Sequence, residues 1–219
     1  AGLADDLRHR RQGRDPLSRR ARPGDGGRGE EAPGRDGSRL GSMAIRDGLL
    51  PELAQELATT RKLLASVPEA KTSFRPHPKS WTLGELGLHL ANVLTWLPMT
   101  LNSTEFDLDP PVGQKVVSPK FESAATTLKL FDETARAAHD ALAAATDAEL
   151  SVPWTLKRHG LALFTLPRAA CIRSFVMNHL IHHRGQFTVY LRLCDIPLPP
   201  IYGPTADFTG DQLVAQKMG

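Results

Sequence analysis

The sequence has few of the residues that build disulfide-rich or membrane-spanning proteins. Its 219 residues include two cysteines, and aromatic residues make up 6% of the chain. Two cysteines are too few for a disulfide-rich scaffold. No apolar run reaches the roughly 18 residues that a spanning helix needs, so we expect no membrane partner. No charged segment followed by an apolar one opens the chain, so we expect no secretory signal.

Several catalytic signatures are also missing. Residues 43–219 contain no GxGxxG, GxxxxGK or CxxC motif, and no order of Ser, His and Asp that indicates a hydrolase triad. Cys171 and Cys194 fall on one predicted helix, and their separation of 23 residues corresponds to about 34 Å along its axis. A disulfide requires Cα atoms within about 7 Å. We therefore expect two free thiols and a cytoplasmic location.

Charge divides the chain into two unlike parts. Residues 1–42 contain ten Arg and seven acidic residues, which accounts for the whole net charge of +3. This Arg/Gly-rich leader has too little apolar surface to fold and is predicted to be disordered. One interpretation is an arm that contacts nucleic-acid phosphates. We favour the other, in which Met43 is the natural start and the leader is appended sequence. Residues 43–219 are neutral and show no basic stripe, so we expect no nucleic acid to bind them.

Apolar residues recur with helical spacing through most of residues 43–219. They predict an all-α fold, a four-helix bundle with long crossover loops. The spacing predicts helices over about 47–67, from Thr82 to a kink or end at Pro98, from Ser118-Pro119 to about 142, and over about 167–193. Residues 105–117 are expected to form a crossover loop, and residues 146–166 a short ribbon or an ordered loop. Thr82 and Glu85 have the spacing of a capping box.

Three histidines fall on the predicted buried stripes. His89 lies among the apolar residues of the second helix, and His179 and His183 are separated by one turn on the fourth. Residues four apart on a helix lie about 6 Å from each other on the same face. Buried imidazole is costly unless its nitrogens find partners. The alternative that stays open is a set of core histidines hydrogen-bonded to carboxylates or carbonyls.

Neutral imidazole binds zinc, nickel or ferrous iron, and three histidines leave coordination positions for water or substrate. His89, His179 and His183 are therefore the candidate metal ligands. His182 could replace His183, but its position at the edge of the stripe indicates a surface or supporting role. Glu85 and Asn92 flank His89 by one turn and are candidates for supporting or acid–base groups. The remaining histidines are expected to be solvated: His9, His77, His139 and His159.

The motifs around these histidines resemble those of the DinB/YfiT-like family. They are Trp81-Thr82-Leu83-Gly84-Glu85-Leu86 leading to His89, then His179-Leu180-Ile181-His182-His183-Arg184-Gly185-Gln186, and a Pro-rich tail from Ile196 to Pro204. The resemblance covers about residues 45–208. It implies a four-helix bundle, a three-histidine metal site at His89, His179 and His183, and a homodimer.

The resemblance also bears on function. Some members are transferases or isomerases that use low-molecular-weight thiols, so it implies a metal-dependent transferase or hydrolase. Its metal would activate water or such a thiol cosubstrate for transfer to a small electrophilic molecule. A second hypothesis is a metal-binding or stress-associated bundle without turnover. The sequence does not identify the acid–base residue, the metal or the substrate.

Overall fold

The computed structural model describes residues 43–110, 118–208 and 210. The leader of residues 1–42, predicted to be disordered, lies outside the described residues, as do residues 111–117 of the expected crossover loop. The domain boundary at residue 43 stays a prediction. The described chain is mostly helical, as expected. Its helices are α1 (Ile45–Ala65), α2 (Leu83–Asn92), α3 (Trp96–Asn102), α4 (Ala124–Ala144), α5 (Asp147–Ser151), α6 (Arg168–Cys171) and α7 (Asn178–Leu193).

The start of α2 confirms the predicted capping box. The Thr82 hydroxyl accepts a hydrogen bond from the Glu85 amide at 3.1 Å, and the Glu85 carboxylate accepts one from the Thr82 amide at 2.7 Å. The helix changes to a 3₁₀ turn over Val93–Thr95 before α3 begins. Pro98 lies in the first turn of α3, where its missing amide hydrogen is tolerated. The predicted break is therefore present, about one turn before the proline.

The beginning of α4 differs from the prediction. The helix begins at Ala124 rather than at Ser118-Pro119, because Ser123 and Thr126 form the capping box that starts it. Glu69 strengthens this start by accepting a hydrogen bond from the Ala124 amide at 2.8 Å. Residues 118–123 instead form neither helix nor strand, and the Phe121 ring packs on Gly84 of α2: a β-carbon at Gly84 would lie 2.6 Å from Phe121 Cζ.

A small sheet adds to the helices that the sequence predicted. Its strands are β1 (Glu105–Asp107), β2 (Pro153–Arg158) and β3 (Leu161–Pro167), in the order β1-β2-β3. The antiparallel pair β2–β3 is the ribbon expected between residues 146 and 166. β1 pairs parallel with β2 and was expected to be loop, because three residues are too few to show an alternating pattern.

The fourth predicted helix is a continuous rod from α6 to α7, joined by a π-helical turn over Ile172–Met177. Its buried side chains Val176, Leu180, Phe187 and Leu191 lie in the core shared with α1, α2 and α4. Both cysteines are buried and free, as expected, and burial raises the pKa of each thiol. In the part of the chain that the structure describes, no helix combines the length and apolar character needed to cross a bilayer.

Candidate metal centre

His89 reaches the interior because the capping box fixes where α2 begins. With Thr82 as the cap, Leu86, Leu90 and Val93 are all buried, and His89 on the same side of the helix is half-buried. Gly87 lies between two neighbouring helices: a β-carbon there would lie 3.2 Å from Leu64 Cδ2 of α1, which is a tight contact, and 3.5 Å from the Phe187 ring of α7. His89, two residues later, lies at the interface with α7.

The structure brings the three predicted residues together. His179 and His183 lie one turn apart on α7, with ring centroids 4.6 Å apart. The His89 ring lies 5.1 Å from the His179 ring and 4.4 Å from the His183 ring. One ring nitrogen from each histidine can be chosen so that all three lie within 4.8 Å of one another. Helices distant in sequence therefore supply one compact group of nitrogen atoms.

The hydrogen bonds around the rings leave inward-facing nitrogens available. Nδ1 of His183 lies 2.7 Å from Oε1 of Gln186, and since an amide oxygen only accepts, this nitrogen carries the proton. The Phe175 carbonyl accepts a hydrogen bond from the His179 ring. Nε2 of His179 faces Nε2 of His89 at 3.1 Å. Two nitrogens bound to one tetrahedral zinc ion lie about 3.3 Å apart, so this spacing suits a shared divalent cation.

Electrostatics keep these rings neutral. Burial, and then the neighbouring His183 and His179 rings, lower the pKa of His89 from 6.5 to about 4. Burial is also the main reason that the pKa values of His179 and His183 lie below the usual value. An uncharged imidazole keeps the lone pair that binds a metal. The donor set therefore fits a divalent transition metal.

Trp81 covers the cluster, a role that was not predicted from the sequence. Its ring centroid lies 4.7 Å from that of His89 and 5.6 Å from that of His183, and 46% of the residue is exposed. Trp81 precedes the Thr82 cap, so the start of α2 also fixes its position. The position of Trp81 directly before the capping box was the sequence feature that could have indicated its place near the site.

The other described histidines lie at the surface or apart from the cluster. His182 is exposed and its ring packs edge-on against the His183 ring at 4.9 Å, which agrees with the expected surface role. His77 and His159 are exposed, and His139 lies beside Asp140. His9 lies outside the described residues.

An open cleft of about 720 Å³ adjoins the cluster through His89. Glu85, an acid–base candidate, lies in its wall but is already engaged by Thr82 and by Arg75 at 3.2 Å. The hydrogen bond from the Thr82 backbone lowers the pKa of Glu85, which makes it a weak base. Further lining residues are Thr72, Ser73, Leu88, Asn92, Lys120 and Phe121.

Arg184, the residue after His183 on α7, is buried. Only 2% of its side chain is exposed, and it pairs with buried Glu56 of α1 at 2.5 Å. No pattern in the sequence indicated a role for Glu56. Nothing in a helical stripe shows that two charged residues from separate helices will meet, so this pair could be found only in three dimensions.

Comparisons with known proteins identify related sequences and structures. The chain is 23% identical to the uncharacterized protein YrdA of Bacillus subtilis over 161 residues. The aligned region covers 74% of this chain and 90% of YrdA. The chain also matches the crystal structure of a DinB-like protein from Bacillus cereus with a TM-score of 0.55 and 27% identity, covering 73% of this chain and 98% of the other.

A DinB-like protein of Bacillus subtilis, YjoA, shares the fold. Its crystal structure matches with a TM-score of 0.53 and 16% identity, covering 71% of this chain and 97% of the other. The profile of the DinB superfamily matches residues 52–187, a range that contains all three clustered histidines. The chain therefore belongs to the DinB superfamily.

Proposed function

We propose that this protein is a metal-dependent enzyme whose ligands are His89, His179 and His183. The divalent metal would be zinc, nickel or iron. The reaction would transfer water or a low-molecular-weight thiol to a small electrophilic substrate. The observation that carries the proposal is the meeting of three neutral ring nitrogens, from α2 and α7, within 4.8 Å.

The three histidines supply only part of a coordination sphere. Structural zinc sites are closed by four protein ligands, whereas catalytic sites keep a position open. The group of ligand atoms found among the described residues contains three histidines and no carboxylate or thiol. A bound divalent metal supplies Lewis acidity, which lowers the pKa of a water or thiol held at the open position.

Residues of the chain itself orient the ligands. Gln186 holds Nδ1 of His183, and the Phe175 carbonyl holds the His179 ring. Such partners fix both the tautomer and the ring plane of a metal-binding histidine. Trp81 lies over His89 and His183, where it limits the access of bulk water.

The cleft beside His89 is the proposed substrate site. Its volume of about 720 Å³ suits a small organic molecule. Leu88, Phe121 and Trp81 offer apolar surface, while Asn92 and Lys120 offer a hydrogen-bonding amide and a cation. Asn92 follows His89 by nearly one helical turn, so a group bound near the metal would lie within reach of the amide.

Metal analysis of protein purified without a nickel column tests the metal site. We expect about one equivalent of a transition metal per chain, bound in the native protein or after incubation with zinc, nickel or ferrous iron. Less than about 0.2 equivalents under all these conditions, with unchanged melting after chelation, would contradict the proposal.

Turnover requires a separate assay. The metal-loaded protein is mixed with a panel of small thiols and an aromatic electrophile, and with activated esters to detect hydrolysis. We expect conjugation or hydrolysis that chelation removes and that H183A lacks, while H182A retains it. Full metal loading without turnover of any substrate would favour a metal-binding bundle that is not an enzyme.

A further inference from the structure

A second polar cluster lies on a different face of α7 from the histidines. Arg184 is adjacent to His183 in sequence, yet it faces α1, where it pairs with Glu56. Nη1 of Arg184 also donates to the Glu56 carbonyl at 3.2 Å and to the Thr60 hydroxyl at 3.4 Å. Through these contacts α1 holds one residue of the helix that carries two histidines.

The Pro-rich tail completes this cluster. The Tyr202 hydroxyl lies 2.9 Å from both carboxylate oxygens of Glu56 and 2.5 Å from Nη2 of Arg184. Most of Tyr202 is exposed, at 65%, but its hydroxyl contacts two buried side chains. Burial and the hydrogen bond to Glu56 raise the pKa of Tyr202, so the phenol stays protonated and donates.

A buried ion pair of this kind contributes little net stability compared with apolar residues of the same volume. Its geometric requirement is strict, however, because a guanidinium displaced from its carboxylate leaves two buried charges unsatisfied. Sliding or rotating α7 against α1 would break the Arg184–Glu56 pair. The cluster therefore permits one axial position of the helix.

We infer that Glu56, Arg184 and Tyr202 are positioning residues that set α7, and with it the spacing of His179 and His183 from His89. We call these three residues the Arg184 latch. The inference rests on the metal site proposed above. The inference also gives the Pro-rich tail a structural role, separate from the proposed chemistry. The Tyr202 hydroxyl holds the Arg184–Glu56 pair in place, and this pair in turn positions α7.

The test measures zinc affinity by competition with a chromophoric chelator, together with the visible absorption of bound Co²⁺. Y202F removes one hydroxyl and keeps the ring, whose centroid lies 5.2 Å from the Arg184 guanidinium. We expect zinc to bind about 3- to 10-fold more weakly, with altered Co²⁺ absorption. E56Q should weaken zinc binding by about 10- to 100-fold, the range observed when the partners of metal ligands are removed.

The matched control is D207N. Asp207 pairs with Arg192 at 2.6 Å and also links the tail to α7, but it does not touch Arg184. We expect its zinc affinity to stay within about twofold of wild type. If E56Q does not fold, Y202F still decides the question.

Two other outcomes distinguish a failure of the positioning role from a failure of the metal site. Unchanged zinc affinity and Co²⁺ absorption in Y202F, with only a lower melting temperature, would overturn the positioning role and leave the metal site standing. A wild-type chain that binds neither zinc nor Co²⁺ would overturn the metal site and, with it, the positioning role.

Discussion

His183 and Arg184 are neighbours on α7 that belong to two polar clusters built in opposite ways. The histidine cluster is half-buried and consists of neutral rings whose nitrogens face one another, with two Nε2 atoms 3.1 Å apart. In the Arg184 latch the two charged side chains, Arg184 and Glu56, are buried and paired with each other. The polar atoms of the latch already have partners within the protein, whereas the converging lone pairs of the histidine nitrogens are satisfied best by a cation. The latch therefore holds α7 in place, whereas the histidine nitrogens are available to bind a metal.

The largest effect should come from removing a ligand. H183A should weaken zinc binding by at least about 100-fold, because two remaining imidazoles cannot replace a three-ligand site. Helical circular dichroism should survive, since the latch and the apolar core are untouched. Titration with zinc provides the measurement.

The control for this change is H182A, which removes an exposed ring beside the same site and should bind zinc normally. Normal zinc binding by H183A, combined with loss in H182A, would move the third ligand to His182.

A second change disturbs the packing of α2 against α1 without replacing a residue of either cluster. G87V places a branched side chain where a β-carbon alone would lie 3.2 Å from Leu64 Cδ2. Overpacking should lower the free energy of unfolding by about 1–3 kcal/mol. Because a shift of α2 would change the position of His89 relative to His179 and His183, zinc should bind about tenfold more weakly. Chemical denaturation and zinc titration measure these effects.

G185V is the matched control for G87V. It introduces the same side chain into a helix, at a glycine whose added β-carbon would meet nothing within 4 Å. Its stability should change by less than about 0.5 kcal/mol. Equal destabilisation by the two substitutions would show that the close approach at Gly87 does not set the site.

Acid should act on the histidine cluster of the metal-free protein. The folded-state pKa of His89 is about 4, below its ordinary 6.5, so the unfolded chain binds more protons as the pH falls below 6.5. Stability is therefore full above pH 6.5 and declines towards pH 4, by roughly 1–2 kcal/mol at pH 5. Thermal melts in chelator across this range measure the loss.

The variant H89L should remove much of this decline, because a leucine side chain cannot take up a proton. The variant H77Q, which replaces an exposed histidine away from the cluster, should retain it. An equal decline in wild type and H89L would assign the acid sensitivity to other groups.

The smallest effect should come from the cover of the site. W81A removes an exposed ring that contacts His89 and His183 but donates no ligand. Zinc affinity should fall by only about twofold to fivefold, as expected for lost packing around a site that keeps its ligands. Because Trp81 lies against two proposed ligands, zinc should change the tryptophan fluorescence of wild type.

The same fluorescence change should be absent in W81A and retained in W154F, since Trp154 is buried in the separate cluster near the sheet. A change that persists in W81A would mean that zinc is sensed elsewhere in the protein.

Local patterns explain why much of the candidate site could be predicted. A capping box is a contact within four residues, so Thr82 and Glu85 could be identified from their spacing. His179 and His183 are one turn apart in any helix, which placed them on one face. The start of α4 was misplaced because two cap signals compete there, and Ser123 with Thr126 prevails over Ser118-Pro119. β1 was missed because its pairing with β2 joins segments some 50 residues apart.

By itself, the sequence determined the helical stripes, the cap of α2 and the faces that carry His89, His179 and His183, because each depends on neighbours within one or two turns. Only the tertiary structure decided that Gly87 packs against Leu64, that Trp81 covers the rings, and that Arg184 meets Glu56 and Tyr202. Those contacts join residues up to 146 positions apart, and helical periodicity carries no information on which distant faces will pack together.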